Sequence, residues 1–220
     1  MGNGVMGIYP STGQLLKNGL EMDTSSTAKV IANGIYFLSE DRRQSGLLLD
    51  HSIEDNIIFT AAQQKNKFLK SYLLRAINIV DKKQSLSFSK NCLITLDIRC
   101  RNVHQKVKHL SGGNQQKVCL ARAIALEPEV LFISEPTRGV DIGAKEKILK
   151  TLLEININLG TTIILASSDL GDLKRICDRI VVLYEGKVWD ILSPDCSDMR
   201  FAQAFSGEWS LENNQLSVNN

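Results

Sequence analysis

The sequence lacks the features that would place a chain in a membrane or direct its export. It contains no run of 18 apolar residues, so we expect no segment to span a bilayer. Its first residues carry neither a basic cluster nor a long apolar stretch, so no secretory signal peptide is predicted. The myristoylation pattern fails because position 6 is Met6 rather than Ser or Thr. A net charge of +2 is too small to indicate a nucleic-acid partner.

Cysteine and histidine are too few and too scattered to build a metal centre or a disulfide framework. The cysteines are odd in number and form no CxxC pair; they are Cys92, Cys100, Cys119, Cys177 and Cys196. We therefore expect free thiols in a reducing cytosol. The three histidines, His51, His104 and His109, do not have the spacing of metal ligands.

What the sequence does contain is an alternation of strand and helix patterns. Apolar runs at 35–38 and 161–166 are typical of buried strands, the second of a parallel strand. A capping box of Ser52 and Asp55 opens a helix through Ala62. An apolar stripe predicts another helix over 144–159, with Gly160 as its C-cap. This order favours an α/β fold with a mainly parallel sheet.

Weaker local patterns complete the predicted organisation of the chain. They comprise a short edge strand at 14–16, a helix capped by 24–26 and ending near 33–34, short helices and loops over 63–95, a helix over 170–177, a hairpin of strands 179–184 and 187–192 around Glu185-Gly186, and a disordered tail at 209–220.

The stretch L-S-G-G-N-Q-Q-K at 110–117 has the chemistry of an anion site at a helix start. Ser111 is a favourable N-cap residue. Gly112 and Gly113 have no Cβ, so a ligand can come close to their backbone N–H groups. The helix predicted over 117–126 directs the positive end of its dipole to the same place. An ordinary capped helix after a glycine turn is the alternative interpretation.

A second run of residues makes the anion site the more specific interpretation. An apolar strand at 130–133 is followed by S-E-P-T-R-G-V-D at 134–141. The stretch 110–117 resembles the signature motif of ATP-binding cassette (ABC) ATPases, and 130–141 resembles their Walker B motif and D-loop. The resemblance implies a P-loop NTPase-like ABC cassette, here incomplete, with a mainly parallel sheet and a helical signature subdomain.

The resemblance also implies a division of the chain. Residues 1–208 would form a partial ABC ATPase domain. Within it, 41–128 would be the helical signature subdomain, and 1–40 together with 129–208 would be the core.

The resemblance assigns catalytic roles to residues that follow the core strands. Glu135 matches the catalytic glutamate, which takes a proton from the water attacking a γ-phosphate or orients that water. Ser134 departs from the family, which has an Asp there to help hold Mg²⁺; a neutral hydroxyl is a weaker partner for that cation. Ser168 stands where the family has its switch histidine, and serine does not titrate near neutral pH. A loop carboxylate at Glu135 and a buried strand position at Ser134 are the alternatives.

ATP and Mg²⁺ are the cofactors that the resemblance implies, with ATP lying between two cassettes. Glu40 occupies the position of the Q-loop glutamine. The implied nucleotide-binding residues are Ser111, Gly112, Gly113, Gln115, Glu40, Ser134 and Asp141.

The phosphate-binding Walker A motif, G-x-x-x-x-G-K-[ST], is absent from the 220 residues. Gly2, Gly4 and Gly7 have neither its lysine nor its spacing. The resemblance begins just past the Walker A helix, so we expect this chain to be part of a longer protein. Without the loop and its lysine, the isolated chain is expected to be inactive.

Three features narrow the resemblance to one branch of the family. The stretch 40–47, the asparagine at Asn114 and the stretch 137–141 are similar to the C-terminal cassette of monosaccharide importers of the ribose, galactose and autoinducer-2 type. The similarity implies a peripheral subunit on the cytoplasmic face of the plasma membrane. Its partners would be a second cassette, an integral membrane permease and, indirectly, a substrate-binding protein, with no nucleic acid.

The residues leave the transported solute open among pentoses, hexoses, nucleosides and autoinducers. Two other functions also stay open. The chain is compatible with a non-hydrolysing module that completes a partner's ATP site, or with a degraded remnant. A non-transport ABC protein of translation or DNA repair is disfavoured, because the chain has no basic linker or zinc module.

Overall fold

The computed structural model describes residues 2–41, 46–72 and 77–208. The chain forms two compact units, one ending at Ala166 and the other beginning at Ser167. None of the described helices is both long and apolar enough to cross a membrane. All five cysteines are free thiols, as expected from their spacing.

The elements of the first unit, in chain order, are α1 (Gly2–Val5), β1 (Leu16–Lys17), β2 (Leu20–Glu21), α2 (Thr27–Ala32), β3 (Ile35–Leu38), α3 (Ile53–Lys65), β4 (Leu69–Tyr72), β5 (Ile77–Val80), α4 (Lys82–Thr95), a 3₁₀ turn (Val107–His109), α5 (Gly112–Leu126), β6 (Val130–Ser134), α6 (Ile142–Leu159) and β7 (Thr162–Ala166). Those of the second are α7 (Leu170–Ile176), β8 (Ile180–Tyr184), β9 (Lys187–Leu192) and α8 (Asp198–Phe205).

A three-stranded parallel sheet in the order β3–β6–β7 organises the first unit. Ile35 lies opposite Val130, and Ser134 lies opposite Ala166. Because the strands are parallel and in register, their carboxyl ends meet at one edge of the sheet, where α/β folds place ligand chemistry. The α/β class and the parallel sheet are confirmed.

The burial predicted for the strand at 161–166 is wrong. Thr161 is buried, but residues 162–166 alternate between exposed and half-buried, and Ile164 is 37% exposed. Within the described residues β7 is the outer strand of the sheet and pairs only with β6. A β-branched run indicates a strand that prefers burial on both faces, but it does not indicate how many neighbours the strand has.

Capping residues set the ends of two helices as their chemistry predicts. The Ser52 hydroxyl accepts from the Asp55 N–H, and the Asp55 carboxylate accepts from the Ser52 N–H, which completes the capping box of α3. Gly160 ends α6 in the left-handed region with φ of 64°. Because Asp141 caps α6, this helix begins at Ile142, two residues before the predicted start.

The signature helix begins earlier than predicted. α5 starts at Gly112 rather than at position 117, because Ser111 is its N-cap and accepts from the Asn114 N–H. Both glycines therefore lie in its first turn. α5 packs on α3 and is buried along most of its length, including its polar residues Gln115, Lys117 and Arg122.

The prediction of short helices and loops over 63–95 is wrong for most of that stretch. An antiparallel pair, β4 and β5, is followed by the fourteen-residue helix α4. The face of α4 that is buried carries Ser85, Ser89 and Cys92. Small polar residues on the packed face leave no apolar stripe, so hydrophobic periodicity does not predict this helix. Asp81, whose carboxylate accepts from two first-turn N–H groups, is the local signal for its start.

The edge strand predicted at 14–16 lies further along the chain, at Leu16–Lys17. Asn18 and Gly19 both have positive φ, of 51° and 78°, and connect β1 to β2. An Asn-Gly pair in this conformation forms a two-residue hairpin turn, and the turn fixes the register of the strands.

The second unit is a hairpin covered by helices. The turn at Glu185-Gly186 joins β8 to β9 as predicted. α8 was not anticipated; Ser197 caps it, and its Phe201 is fully buried against Ile180 and Val182. The predicted tail at 209–220, and the segment 42–45 of the stretch compared with sugar importers, lie outside the described residues.

Candidate functional site

The signature presents an exposed serine at the start of a long helix. Ser111 is exposed, and its Oγ accepts from the Asn114 Nδ2 at 3.0 Å. The N–H groups of a helix's first turn have no acceptor within the helix, so those of Gly112 and Gly113 can donate to an anion. A Cβ built on Gly113 would lie in ordinary van der Waals contact with the Val140 Cγ1, at 3.6 Å, so Gly113 lies directly beside the D-loop.

The Gln115 side chain lies inside the protein, behind the signature. Only 2% of this residue is exposed, and its Nε2 donates to the carbonyls of Val107 and Leu110, each at 3.3 Å. Its Oε1 is buried and has no hydrogen-bond partner among the described residues. The side chain therefore holds the turn that precedes the signature, and the nucleotide contact predicted for Gln115 stays a prediction.

Asn114 makes a long-range hydrogen bond that the signature motif alone does not predict. Its Oδ1 accepts from the Arg99 N–H at 2.9 Å, while its Nδ2 bonds to Ser111. One amide thus connects the signature serine to a loop fifteen residues earlier in the chain. No local pattern predicts this contact, because the two segments are separated by a turn and a 3₁₀ helix.

The carboxyl end of β6 places Ser134 and Glu135 side by side at the edge of the sheet. Both residues are half-buried. The Glu135 N–H donates to the Ala166 carbonyl at 2.8 Å, so pairing with β7 continues one residue past the strand. Glu135 has φ of 48°, a left-handed conformation that is uncommon for a residue with a side chain and that concentrates at functional sites.

Glu40 lies at the same edge of the sheet, two residues after β3 ends. Its Oε2 accepts from the Arg138 Nη1 at 3.1 Å, which brings the loops after β3 and β6 together. The two side chains are 52% and 72% exposed, so the pair contributes little to stability. The sheet thus collects Glu40, Ser134 and Glu135 at one edge.

Asp141 uses its carboxylate as a helix cap. Its Oδ1 accepts from the Ala144 N–H at 2.9 Å, and this bond is the main cause that lowers its pKa below the usual range. Since Gly113 packs beside Val140 and Ala144, the starts of α5 and α6 lie next to each other. The nucleotide contact predicted for Asp141 stays a prediction.

Ser168 belongs to the second unit and lies one residue before Asp169, the N-cap of α7. Its assignment to the site with Glu135 stays a prediction.

The side chains of the described residues are too few to coordinate a magnesium ion on their own. They contain no group of three or more His, Cys, Asp or Glu side chains that could hold a metal. At the end of β6 the donors are one hydroxyl and one carboxylate, from Ser134 and Glu135. Mg²⁺ in nucleotide sites takes several of its ligands from phosphates and water, so this chain could supply only part of its coordination.

A buried arginine that the sequence reasoning missed fixes the signature helix. Arg122 of α5 is 7% exposed. Its guanidinium donates to the Asn56 carbonyl, to the Asn56 Oδ1 and to the Gly46 carbonyl, each at 2.6 Å. Asn56 in turn bonds to both the N–H and the carbonyl of Leu48. The signature helix is therefore tied to the start of α3 and to the segment 46–48.

Comparison with known families bears directly on this site. A family model described as ABC transporter matches residues 5–138, which include the signature and the Walker B strand. The chain belongs to the ABC transporter family. Its described fold is that of an ABC ATPase cassette, with the exposed Ser111 in the signature position and Glu135 after the Walker B strand.

Curated relatives match the cassette over most of its length. The L-arabinose transport ATP-binding protein AraG of Geobacillus stearothermophilus is 39% identical over 178 residues, 80% of this chain and 33% of that protein. The ribose import ATP-binding protein RbsA of Clostridium perfringens (strain 13 / Type A) is 39% identical over 193 residues, 87% of this chain and 36% of that protein. The cassette spans about a third of the length of these relatives.

Solved structures agree on the fold. A dimeric post-hydrolysis form of the ATP-binding cassette MJ0796, bound to ADP and Pi, superposes with a TM-score of 0.71 at 21% identity, covering 89% of this chain and 80% of that chain. CbiO1 of Clostridium perfringens, part of the ABC transporter complex cbiONQ, superposes with a TM-score of 0.65 at 25% identity, covering 93% of this chain and 74% of that chain.

Proposed function

We propose that this cassette is an ATP-binding component of an importer for a sugar or a related small solute. The two curated relatives support the proposal, since they are ATP-binding proteins of L-arabinose transport and ribose import. The cassette would couple ATP binding and hydrolysis to transport on the cytoplasmic face of the plasma membrane. A permease would carry the solute, and a substrate-binding protein would deliver it. The relatives give no support to the alternative of a non-hydrolysing module or remnant.

The observation that carries the proposal is the exposed signature at the start of α5. Ser111 and the N–H groups of Gly112 and Gly113 form a compact donor set at the positive end of a fifteen-residue helix. Such a set suits a γ-phosphate presented from outside the chain. Because these 220 residues contain no Walker A motif, the phosphate loop facing the signature would belong to a second cassette. ATP would then be bound between the two.

The end of β6 would take part in the second, local nucleotide site. There Glu135 would act as the general base toward the attacking water. The cation would be held largely by the phosphates and by water, because Ser134 replaces the carboxylate that usually assists. Glu40 and Asp141 would complete the nucleotide contacts of the family pattern, and Ser168 would take the catalytic position of the family's switch histidine.

Replacing Ser111 with Arg tests the proposed function in the assembled transporter. A large charged side chain would occupy the place of the γ-phosphate, so ATP-dependent transport should fall to background. Assembly with the permease should persist, because the signature is not the docking surface in this proposal. The matched control is Ser193→Arg, an exposed serine of the second unit. Transport at the wild-type rate by the Ser111→Arg complex would contradict the role of Ser111 at the nucleotide.

A further inference from the structure

Three cations share one carboxylate close to the signature. The Asp97 carboxylate pairs with the Lys147 ammonium, and its Oδ2 also lies 3.8 Å from the Lys117 Nζ and 4.0 Å from the Arg99 Nε. Asp141 is a second carboxylate that interacts electrostatically with Lys117 and Arg99, and these two carboxylates still leave one of the three positive charges in excess. The surroundings of the signature therefore carry an excess of positive charge that favours a further anion.

Among these three cations, Arg99 is the one placed to reach a ligand. Lys117 is 5% exposed and donates to the Asp97 carbonyl at 2.7 Å, so it is held inside. Lys147 makes the shortest contact with the Asp97 carboxylate. The Arg99 side chain is 83% exposed, and its pairing with Asp97 is at the outer limit of an ion pair. Its guanidinium has five donors and little to bind within the described residues.

The backbone of Arg99 is fixed beside the signature serine. Its N–H donates to the Asn114 Oδ1 at 2.9 Å, and the Nδ2 of the same amide donates to the Ser111 Oγ at 3.0 Å. This relay sets the position from which the Arg99 side chain extends. A residue held in this way loses less conformational entropy on binding than one on an unattached loop.

Arg99 is also close to the cap of α6. Its charge adds to the lowering of the Asp141 pKa, after the larger effect of the hydrogen bond from the Ala144 N–H. The starts of α5 and α6 are adjacent through Gly113. Arg99 therefore lies within electrostatic range of both helix starts that the proposed function directs toward nucleotide.

We propose that Arg99 is a phosphate-binding residue that acts with Ser111 on the triphosphate held by the second cassette. Asn114 is then a positioning residue, because it fixes Arg99 relative to Ser111. The inference rests on the proposed function, since it assumes that the signature faces nucleotide bound by another cassette. Arginine suits this task because its planar fork can donate two hydrogen bonds to one phosphate group.

The test measures ATP-dependent association of the two cassettes within the assembled complex. ATP is titrated with EDTA present, so that hydrolysis does not contribute, and cross-linking between the cassettes reports association. Arg99→Ala should raise the half-maximal ATP concentration about tenfold, the effect of losing one charge-assisted hydrogen bond. Arg99→Lys should raise it about threefold, because the charge is kept and the fork is lost.

Arg101→Ala is the matched control for Arg99→Ala. Arg101 is an exposed arginine two residues away, and its backbone N–H bonds to the Gln105 Oε1 at 2.8 Å instead of to the signature. It makes no ion pair among the described residues, and its replacement should change the half-maximal concentration less than about twofold. Melting curves of both variants should coincide with wild type, which shows that the fold is intact.

Equal effects of Arg99→Ala and Arg101→Ala would overturn the role of Arg99 and indicate general attraction by surface charge. Ser111→Arg, run in parallel, separates this result from failure of the proposed function. If Ser111→Arg abolishes association while Arg99→Ala leaves it unchanged, the signature site stands and the inference fails. If neither substitution alters association, both fail.

Discussion

The two sides of the first unit that carry functional residues are built differently. On the signature side, Ser111, Asn114 and Arg99 are linked by side-chain hydrogen bonds, and buried Arg122 ties the helix behind them to α3. At the β6 end, Glu135 is placed by strand pairing of its backbone, and the side-chain pair of Glu40 with Arg138 is exposed. The helix that carries the signature is therefore held by the buried polar contacts of Arg122, whereas the backbone at the β6 end is held by pairing with β7.

The two sides are therefore expected to tolerate substitutions differently. A side chain at the end of a strand can be replaced without disturbing the ladder, as the serine at Ser134 illustrates. A side chain in a buried polar network cannot be removed without leaving donors or acceptors unpaired, which costs free energy. We expect substitutions in the buried Arg122 network to lower stability, and those at the β6 end to alter chemistry first.

We expect the greatest difference in stability between substitutions of two arginines, Arg122 on the signature side and Arg138 at the β6 end. Arg122→Met should lower the free energy of unfolding by about 3 kcal/mol, because the Asn56 and Gly46 oxygens lose their donors inside the protein. Arg138→Met removes an exposed pair and should change it by less than about 1 kcal/mol. Chemical denaturation of both variants measures the difference. Equal losses would mean that the two sides are not built differently.

Ser134→Asp introduces the carboxylate that the family usually has at this position, and we expect it to have at most a moderate effect on ATP turnover. In the intact parent protein, ATP turnover should rise or stay the same, and stability should change by less than about 1 kcal/mol. Ser134 is half-buried at the end of β6, where an Asp could reach magnesium-bound water. Thermal melting with and without Mg-ATP, alongside turnover, checks this against Ser134→Ala.

A large fall in melting temperature of Ser134→Asp that Mg-ATP does not reverse would contradict this placement. It would show an unpaired buried charge and a side chain directed away from the metal.

Asp97→Asn should change the melting temperature least, and the size of this change should depend on pH. Lys147 is the main cause that holds the pKa of Asp97 below the usual value. A lowered pKa contributes stability above the ordinary aspartate pKa of about 4, and this contribution is lost as pH falls through the lowered value. Asp97→Asn should therefore melt slightly below wild type at pH 5–8, and the gap should close below about pH 4.

High salt should reduce the same gap, because Asp97 and its partners are partly exposed. Asp195→Asn, an exposed aspartate of the second unit with no ion pair among the described residues, is the control and should melt like wild type throughout. If the difference in melting temperature between wild type and Asp97→Asn grew toward low pH, the Asp97 carboxylate would not be stabilised by its cations as we infer.

Much of the local structure could be predicted because it depends on neighbouring residues. The capping box of Ser52, the glycine end of α6 and the turn at Glu185-Gly186 all follow from short-range chemistry. α4 was missed because its buried face carries small polar residues, which periodicity does not report. α8 is only eight residues long, but its amphipathic pattern and the Ser197 cap are local signals that could have predicted it.

The family motifs, the serine at position 134 and the residues that begin and end helices can be read from the amino acids alone, since each depends on residue type and short spacing. The burial of Gln115, the link from Asn114 to Arg99 and Ser111, and the bonds of Arg122 to residues 66 and 76 positions away follow only from the folded chain. Contacts across such separations form only when α3, α5 and the loops between them pack. They satisfy buried polar groups that no local pattern can pair in advance.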